Sequence, residues 1–312
     1  MSRNYRTHYP RPPGRKSNCL SWTALLIATL LSAALLSAQL PTDVQRQETL
    51  AYLFALQKPD GSFGQNRLVP KSDLATTSAA VRAIIYFGGQ VPQAEACRKY
   101  LRACQNADGG FANTPGGSSE VRITALAVLA LVELGEKDKS VLGRAIKYLE
   151  AHAKTFEEIR IAAAAFEALH LQPSKKTLKA WQQEILRRRN PDGTFGTGGD
   201  VPRDTASAVA CLLRLGLSVE NRETAAKAIV AGQRPDGGWG REGQPSDLET
   251  TYRVMRAFFM LKHQPALPAV AKFVASCRSQ EGAYALRPGE VPSPQATYFA
   301  SAIFHWLNHW PQ

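Results

Sequence analysis

The sequence is short of the residues that usually announce chemistry. Cysteine occurs five times in 312 residues, which excludes a disulfide-built miniprotein. No CxxC pair and no Cys/His cluster is present to hold a structural zinc. GxSxG, HExxH and the P-loop pattern are all missing, as is a GCGEQ stretch for an internal thioester. Nothing in the bulk composition points to disorder: 44% hydrophobic and 21% charged residues are ordinary for a globular chain. At about 150 residues per domain, the length fits one large domain or two smaller ones.

Positive charge is the one excess, with 38 Lys and Arg against 26 Asp and Glu, a net +12. Such a sum resembles a nucleic-acid signal, but its distribution weakens that reading, and no nucleic-acid partner is assigned. Arg3, Arg6, Arg11, Arg15 and Lys16 stand together without an acidic neighbour, and an uncharged run from Cys19 to Leu40 follows. Basic flank, apolar stretch and small residues form the layout of an export signal. The run is also near the roughly 20 residues that span a bilayer. Residues 1–40 are therefore read as a signal peptide or membrane anchor, with the protein exported or held at the membrane. Residues 41–312 are read as the folded body. The three arginines within Ile185–Asn190 read as a solvated helix end. Cys97 and Cys104 lie about two helical turns apart, too far to bond within one helix; no disulfide is expected, and the cysteines are expected as small buried residues.

Behind residue 42 the chain repeats itself. A glycine motif reads QKPDGSFG from Gln57, QNADGGFA from Gln105, RNPDGTFG from Arg189, QRPDGGWG from Gln233 and RSQEGAYA from Arg278. After each motif an apolar run begins near a threonine: Thr77, Thr124, Thr205, Thr251 and Thr297. Ala162 fits a sixth slot whose glycine loop is lost, with Lys154-Thr155-Phe156 joining its two helices. Each unit reads as helix, loop, helix. The first helices are amphipathic, as in Leu178, Trp181, Ile185 and Leu186 behind an N-cap Ser174. The second helices, such as RITALAVLALVEL, are apolar on almost every side and must be buried all round. With no polar end caps in view, six pairs closing into an inner and an outer ring is the expected architecture. The glycine motif reads as a structural staple: Asp-Gly makes a tight turn, and the aromatic two places later folds under it.

This repeat resembles the one shared by protein prenyltransferase β subunits and squalene/hopene-type terpenoid cyclases. Gln57/Gly61/Phe63, Gln105/Gly109/Phe111 and Gln233/Gly237/Trp239 match its Gln, Gly and aromatic positions in full. The resemblance covers residues 43–310 and implies an all-α, (α/α)6 toroid whose site surrounds the starts of the inner helices. Two places before each ring threonine stand Ala75, Arg122, Arg160, Arg203, Glu249 and Gln295. Arg122, Arg160 and Arg203 would converge there as an anion clamp, or pair with Glu120, Glu158 and Asp204. GGWGREGQPSDLETTY resembles the family stretch with a diphosphate-binding arginine six residues before a zinc-binding aspartate, which implies those roles for Arg241 and Asp247. The family's zinc-binding cysteine and histidine positions hold Glu249 and Ala296 here, so no cofactor is assigned, and zinc stays open only as a site built on Asp247 and Glu249. Against the cyclase acid motif, Asp247-Leu248-Glu249-Thr250 lacks the last carboxylate, leaving Asp247 or Glu249 as the candidate general acid. Tyr86, Phe87, Phe166, Tyr252, Phe258, Phe299 and Trp306 are candidates to line an isoprenoid-sized cavity, with Tyr252 as a substrate contact.

The resemblance implies a transferase or cyclase that binds an isoprenoid or another elongated apolar ligand, with a protein partner as in prenyltransferase heterodimers. An exported, non-catalytic scaffold for protein or glycan is the alternative. A carboxylate-based polysaccharide hydrolase or lyase is another, because Asp73, Glu120, Glu158 and Asp247 share one ring position.

Overall fold

In the computed structural model the described residues are 39–310. The expected leader lies almost wholly outside them. Among the described residues, no helix is long and apolar enough to cross a membrane.

Among the described residues, twelve α-helices alternate between two layers. The outer helices are α1 (Asp43–Phe54), α3 (Ala94–Ala103), α5 (Lys139–His152), α7 (Lys175–Leu186), α9 (Arg222–Ala231) and α11 (Leu267–Ser276). The inner helices are α2 (Leu74–Tyr86), α4 (Val121–Glu133), α6 (Phe156–Ala168), α8 (Val201–Arg214), α10 (Leu248–Leu261) and α12 (Pro294–Asn308). Each inner helix packs on the next, and α12 packs back on α2 to close the ring. The outer seam closes as well: Thr49 donates to the Gly282 carbonyl at 2.5 Å, and Arg278 pairs with Glu48.

The inner helices bury residues on every side. In α4, Ile123, Val128 and Leu131 are buried together with Ala125, Ala127 and Ala130. A fully buried Leu or Ile contributes about 1.5–3 kcal/mol, while the alanines let neighbouring helices approach. Outer helices bury one stripe, as Trp181 and Ile185 do in α7, and Leu186 is left exposed. Ser174 caps α7 by accepting from the Thr177 N–H.

The glycine loops work as staples. In five units the aromatic residue's N–H donates to the ring threonine: Phe63 to Thr77, Phe111 to Thr124, Phe195 to Thr205, Trp239 to Thr251 and Tyr284 to Thr297, at 2.8–3.1 Å. Each bond fixes where an inner helix begins. The glycine also meets the next unit. Gly237 has φ +92°, and a Cβ there would stand 2.1 Å from the Ala269 carbonyl oxygen of α11, so only glycine fits. Unit three has neither loop nor threonine. Ala153–Thr155 joins α5 to α6, and a capping box between Thr155 and Glu158 starts the inner helix instead. The four described cysteines are buried and free; burial pushes the thiols of Cys97, Cys211 and Cys277 up to about 12, which makes them inert.

Candidate functional site

The inner ring encloses a cavity of about 590 Å3, within the size range of small-molecule sites. Counted from the ring threonine, or Ala162 in unit three, most lining residues fall two before it, two after, five after or nine after. Those steps of three and four mark one face of each helix. The cavity has two unlike walls. Leu126, Leu129 and Val132 of α4 with Ile161, Ala164 and Ala168 of α6 make an aliphatic side. Opposite them stand Arg82 of α2, Tyr252 and Arg256 of α10, and Tyr298 and Phe299 of α12.

At the mouth the charges are already matched. Glu157 accepts from Arg160 at 2.9 Å and from Arg253 at 3.1 Å, and Arg253 also reaches Glu249 at 2.7 Å. Burial works against the charge on Glu157, but Arg160 and Arg253 outweigh it and hold the carboxyl at about 2. Glu249 is lowered in the same way, burial being overcome chiefly by Arg253. Both are ion-paired carboxylates and poor proton donors at neutral pH.

Farther in, Glu133 and Glu167 line the cavity, but neither forms an ion pair with Arg82 or Arg256; their charges act on these arginines only from a distance. Arg82 is 6% exposed. Its guanidinium bonds the Tyr298 hydroxyl and lies over that ring, 3.9 Å from the centroid. Arg256 lies 4.9 Å from the Trp306 centroid. The Nε atoms of both arginines are buried without a hydrogen-bond partner. Arg214 is satisfied by Glu167 at 3.0 Å. The hydroxyls of Tyr252 and Tyr298 are 2.9 Å apart. Burial would raise Tyr252, but Arg256, Arg82 and Arg214 overcome it and bring the phenol down to about 7, while burial drives Tyr298 upward. Either hydroxyl can donate in this pair, and the guanidinium groups around it favour the ionised form of one phenol.

Comparison with known proteins agrees with this ring and lumen. The prenyltransferase alpha-alpha toroid domain family matches residues 14–159 and 159–311. The chain belongs to that family. A drimenyl diphosphate synthase of Streptomyces showdoensis is 25% identical over 299 residues, 89% of this chain and 49% of its own length. The chain thus spans about half the length of the curated relatives it matches. Among solved structures, the type II terpene cyclase MstE from Scytonema, in complex with geranylgeranyl dihydroxybenzoate, superposes with a TM-score of 0.61 at 11% identity, covering 89% of this chain and 98% of that one. Candida albicans protein geranylgeranyltransferase-I complexed with GGPP gives 0.60 at 17% identity, covering 76% and 84%. Both likenesses concern the fold.

Within this prenyltransferase toroid the expected site residues separate. Arg122, Arg160, Glu249 and Tyr252 line the cavity. Arg203 does not: it bonds Asp204 at 2.7 Å. Arg241 is exposed on the loop before α10, where its carbonyl accepts from Arg234. Asp247 does not face the cavity, contrary to expectation. It is buried as the N-cap of α10, and its carboxylate accepts from the Thr250 N–H at 2.7 Å and hydroxyl at 3.0 Å. The ring position shared by Asp73, Glu120, Glu158 and Asp247 lies where inner helices start, so these carboxylates do not gather as paired acids. Asp73 caps α2, Glu158 completes a capping box and Glu120 is the N-cap residue of α4.

The residues at the family's zinc positions do not fit the metal. Asp247 is engaged by Thr250, Glu249 by Arg253, and Ala296 has no ligand atom. Among the described residues, no group of three or more His, Cys, Asp or Glu gathers elsewhere. Of the expected aromatics, Tyr86, Tyr252 and Phe299 line the cavity. Phe166 instead packs on Trp181 and Phe258 on Trp239, between the layers. Sequence reading passed over Arg82, Arg253, Arg256 and Tyr298. A signal for them existed: an arginine within a helix otherwise apolar on all sides has nowhere to point but a cavity or a buried partner.

Proposed function

We propose that the toroid binds an elongated isoprenoid-type ligand bearing an anionic group, with its hydrocarbon along the aliphatic wall of α4 and α6. The observation that carries this reading is the two-sided lumen, with Leu126, Leu129, Ile161 and Ala164 facing a wall of guanidinium and phenol groups. A purely apolar ligand would leave the cations unmatched, and a small polar one would leave the aliphatic wall wet. The named activities of the relatives, from drimenyl diphosphate synthase to geranylgeranyltransferase, lend support. In this reading Arg122 attracts the anion at the mouth, where Arg160 is already held by Glu157, and Tyr252 touches the ligand inside. A protein partner, as the transferase relatives imply, would meet the outer surface. With Glu249 ion-paired and Asp247 capping a helix, the expected general acid is not assigned to either.

Isothermal titration with geranylgeranyl diphosphate tests the reading. The wild-type protein should bind, and Ala164→Phe, which projects a ring from the aliphatic wall, should weaken binding about tenfold or more, roughly 1.4 kcal/mol. No binding by the wild type, or equal binding by a folded Ala164→Phe, would overturn it.

A further inference from the structure

Arg82 and Arg256 occupy the same level of the ring, five residues past Thr77 and Thr251. Their helices, α2 and α10, both pack against α12, which supplies Tyr298 between them. Arg82 is more than nine-tenths buried, lines the lumen and bonds no acceptor but the Tyr298 hydroxyl; Glu133 lines the same cavity and feels the Arg82 charge, but forms no ion pair with it. Arg256 feels the field of Glu167, but that carboxylate is already held by Arg214 at 3.0 Å. Both Nε atoms are unpartnered. The mouth offers a contrast inside the same cavity, since Arg160 and Arg253 are neutralised there by Glu157 and Glu249. A buried cation without a counter-charge is costly. Guanidinium forks flanked by hydroxyls match the planar oxygens of a carboxylate or phosphate.

We propose that Arg82 and Arg256, with the hydroxyls of Tyr252 and Tyr298, form an anion subsite midway down the lumen that takes the carboxylate or phosphate oxygens of the ligand. The site rests on the reading of the cavity as an isoprenoid-type pocket. It adds a direction: the charged end lies inside, and the hydrocarbon follows the α4–α6 wall away from it.

The test is titration of the full chain with geranylgeranyl diphosphate, geranylgeranoic acid and geranylgeraniol, comparing wild type with Arg82→Gln, Arg256→Gln and Arg122→Gln. Arg82→Gln and Arg256→Gln should each weaken at least one of the two anions about tenfold or more and leave the alcohol within about threefold. Which anion suffers names the head group. If Arg122→Gln takes the loss while the two deep variants bind both anions like wild type, the subsite is overturned and the pocket reading stands. If wild type binds none of the three, both fall. Should the deep variants fail to fold, Tyr298→Phe still decides. It removes the hydroxyl that Arg82 bonds and should weaken the same anion about tenfold. Wild-type anion binding by a folded Tyr298→Phe would contradict the subsite.

Discussion

The loop end of the ring and its lumen obey opposite rules. At the loops, five units make the same hydrogen bond between the same two atoms, at 2.8–3.1 Å. Five residues past the ring threonine or its counterpart, the six units hold Arg82, Leu129, Glu167, Ala210, Arg256 and Ala302, of which Arg82, Leu129, Glu167 and Arg256 line the lumen. Repetition places the inner helices, and divergence at the faces they turn inward makes the site. Unit three shows that the two tasks are separable. It has lost its loop and threonine, yet α6 still contributes Ile161 and Ala164 to the aliphatic wall.

The sharpest way to break this comparison is at a glycine. Gly237→Ala would drive a Cβ into the α11 backbone at 2.1 Å and should cost at least about 3 kcal/mol in denaturant unfolding. Gly135→Ala also has positive φ, but nothing lies within 4 Å, so its loss should be about 1–2 kcal/mol. Equal losses would mean that the staple's close contact is unimportant. Next in size is Thr124→Val, which keeps the shape but orphans the buried Phe111 N–H; thermal or chemical unfolding should show a loss of about 1–3 kcal/mol. The lumen should respond with the opposite sign. Arg82→Met removes a buried cation that has no ion pair, so unliganded stability should hold or rise by about 1 kcal/mol while anion binding is lost. A large destabilisation would make Arg82 a structural residue. The smallest effect belongs to Glu157→Gln at the mouth. Because folding lowers the Glu157 carboxyl from 4.5 to about 2, its contribution is present above pH 4.5 and disappears as the pH falls through about 2. The side chain is half exposed, so the wild-type advantage should be under about 1 kcal/mol at pH 7 and absent below pH 2 in paired melts.

Much of the ring is legible in the sequence because periodic burial leaves a periodic record. The threonine spacing locates each inner helix, including the loopless α6 marked by Ala162. It also finds the mouth: of the residues two places before the threonines, Ala75, Arg122, Arg160, Glu249 and Gln295 all line the cavity. The same count misleads four places before, since a carboxylate at a helix start is a cap, as Asp247 and Asp73 show. The interior of the site is harder to read. Tyr298 and Arg82 are sequentially distant, and their partnership depends on α12 returning to α2. Which arginine goes unpaired is likewise a tertiary fact: Arg203 meets Asp204, and Arg256 meets an aromatic face.

The most direct test is a crystal structure of the full chain with geranylgeranyl diphosphate bound. The hydrocarbon should lie against Leu126, Leu129 and Ala164, with phosphate oxygens in hydrogen-bond reach of Arg82 and Arg256. A ligand whose phosphates rest among Arg122 and Arg160 with its hydrocarbon over Arg256, or a lumen that holds water alone at saturating ligand, would contradict the account.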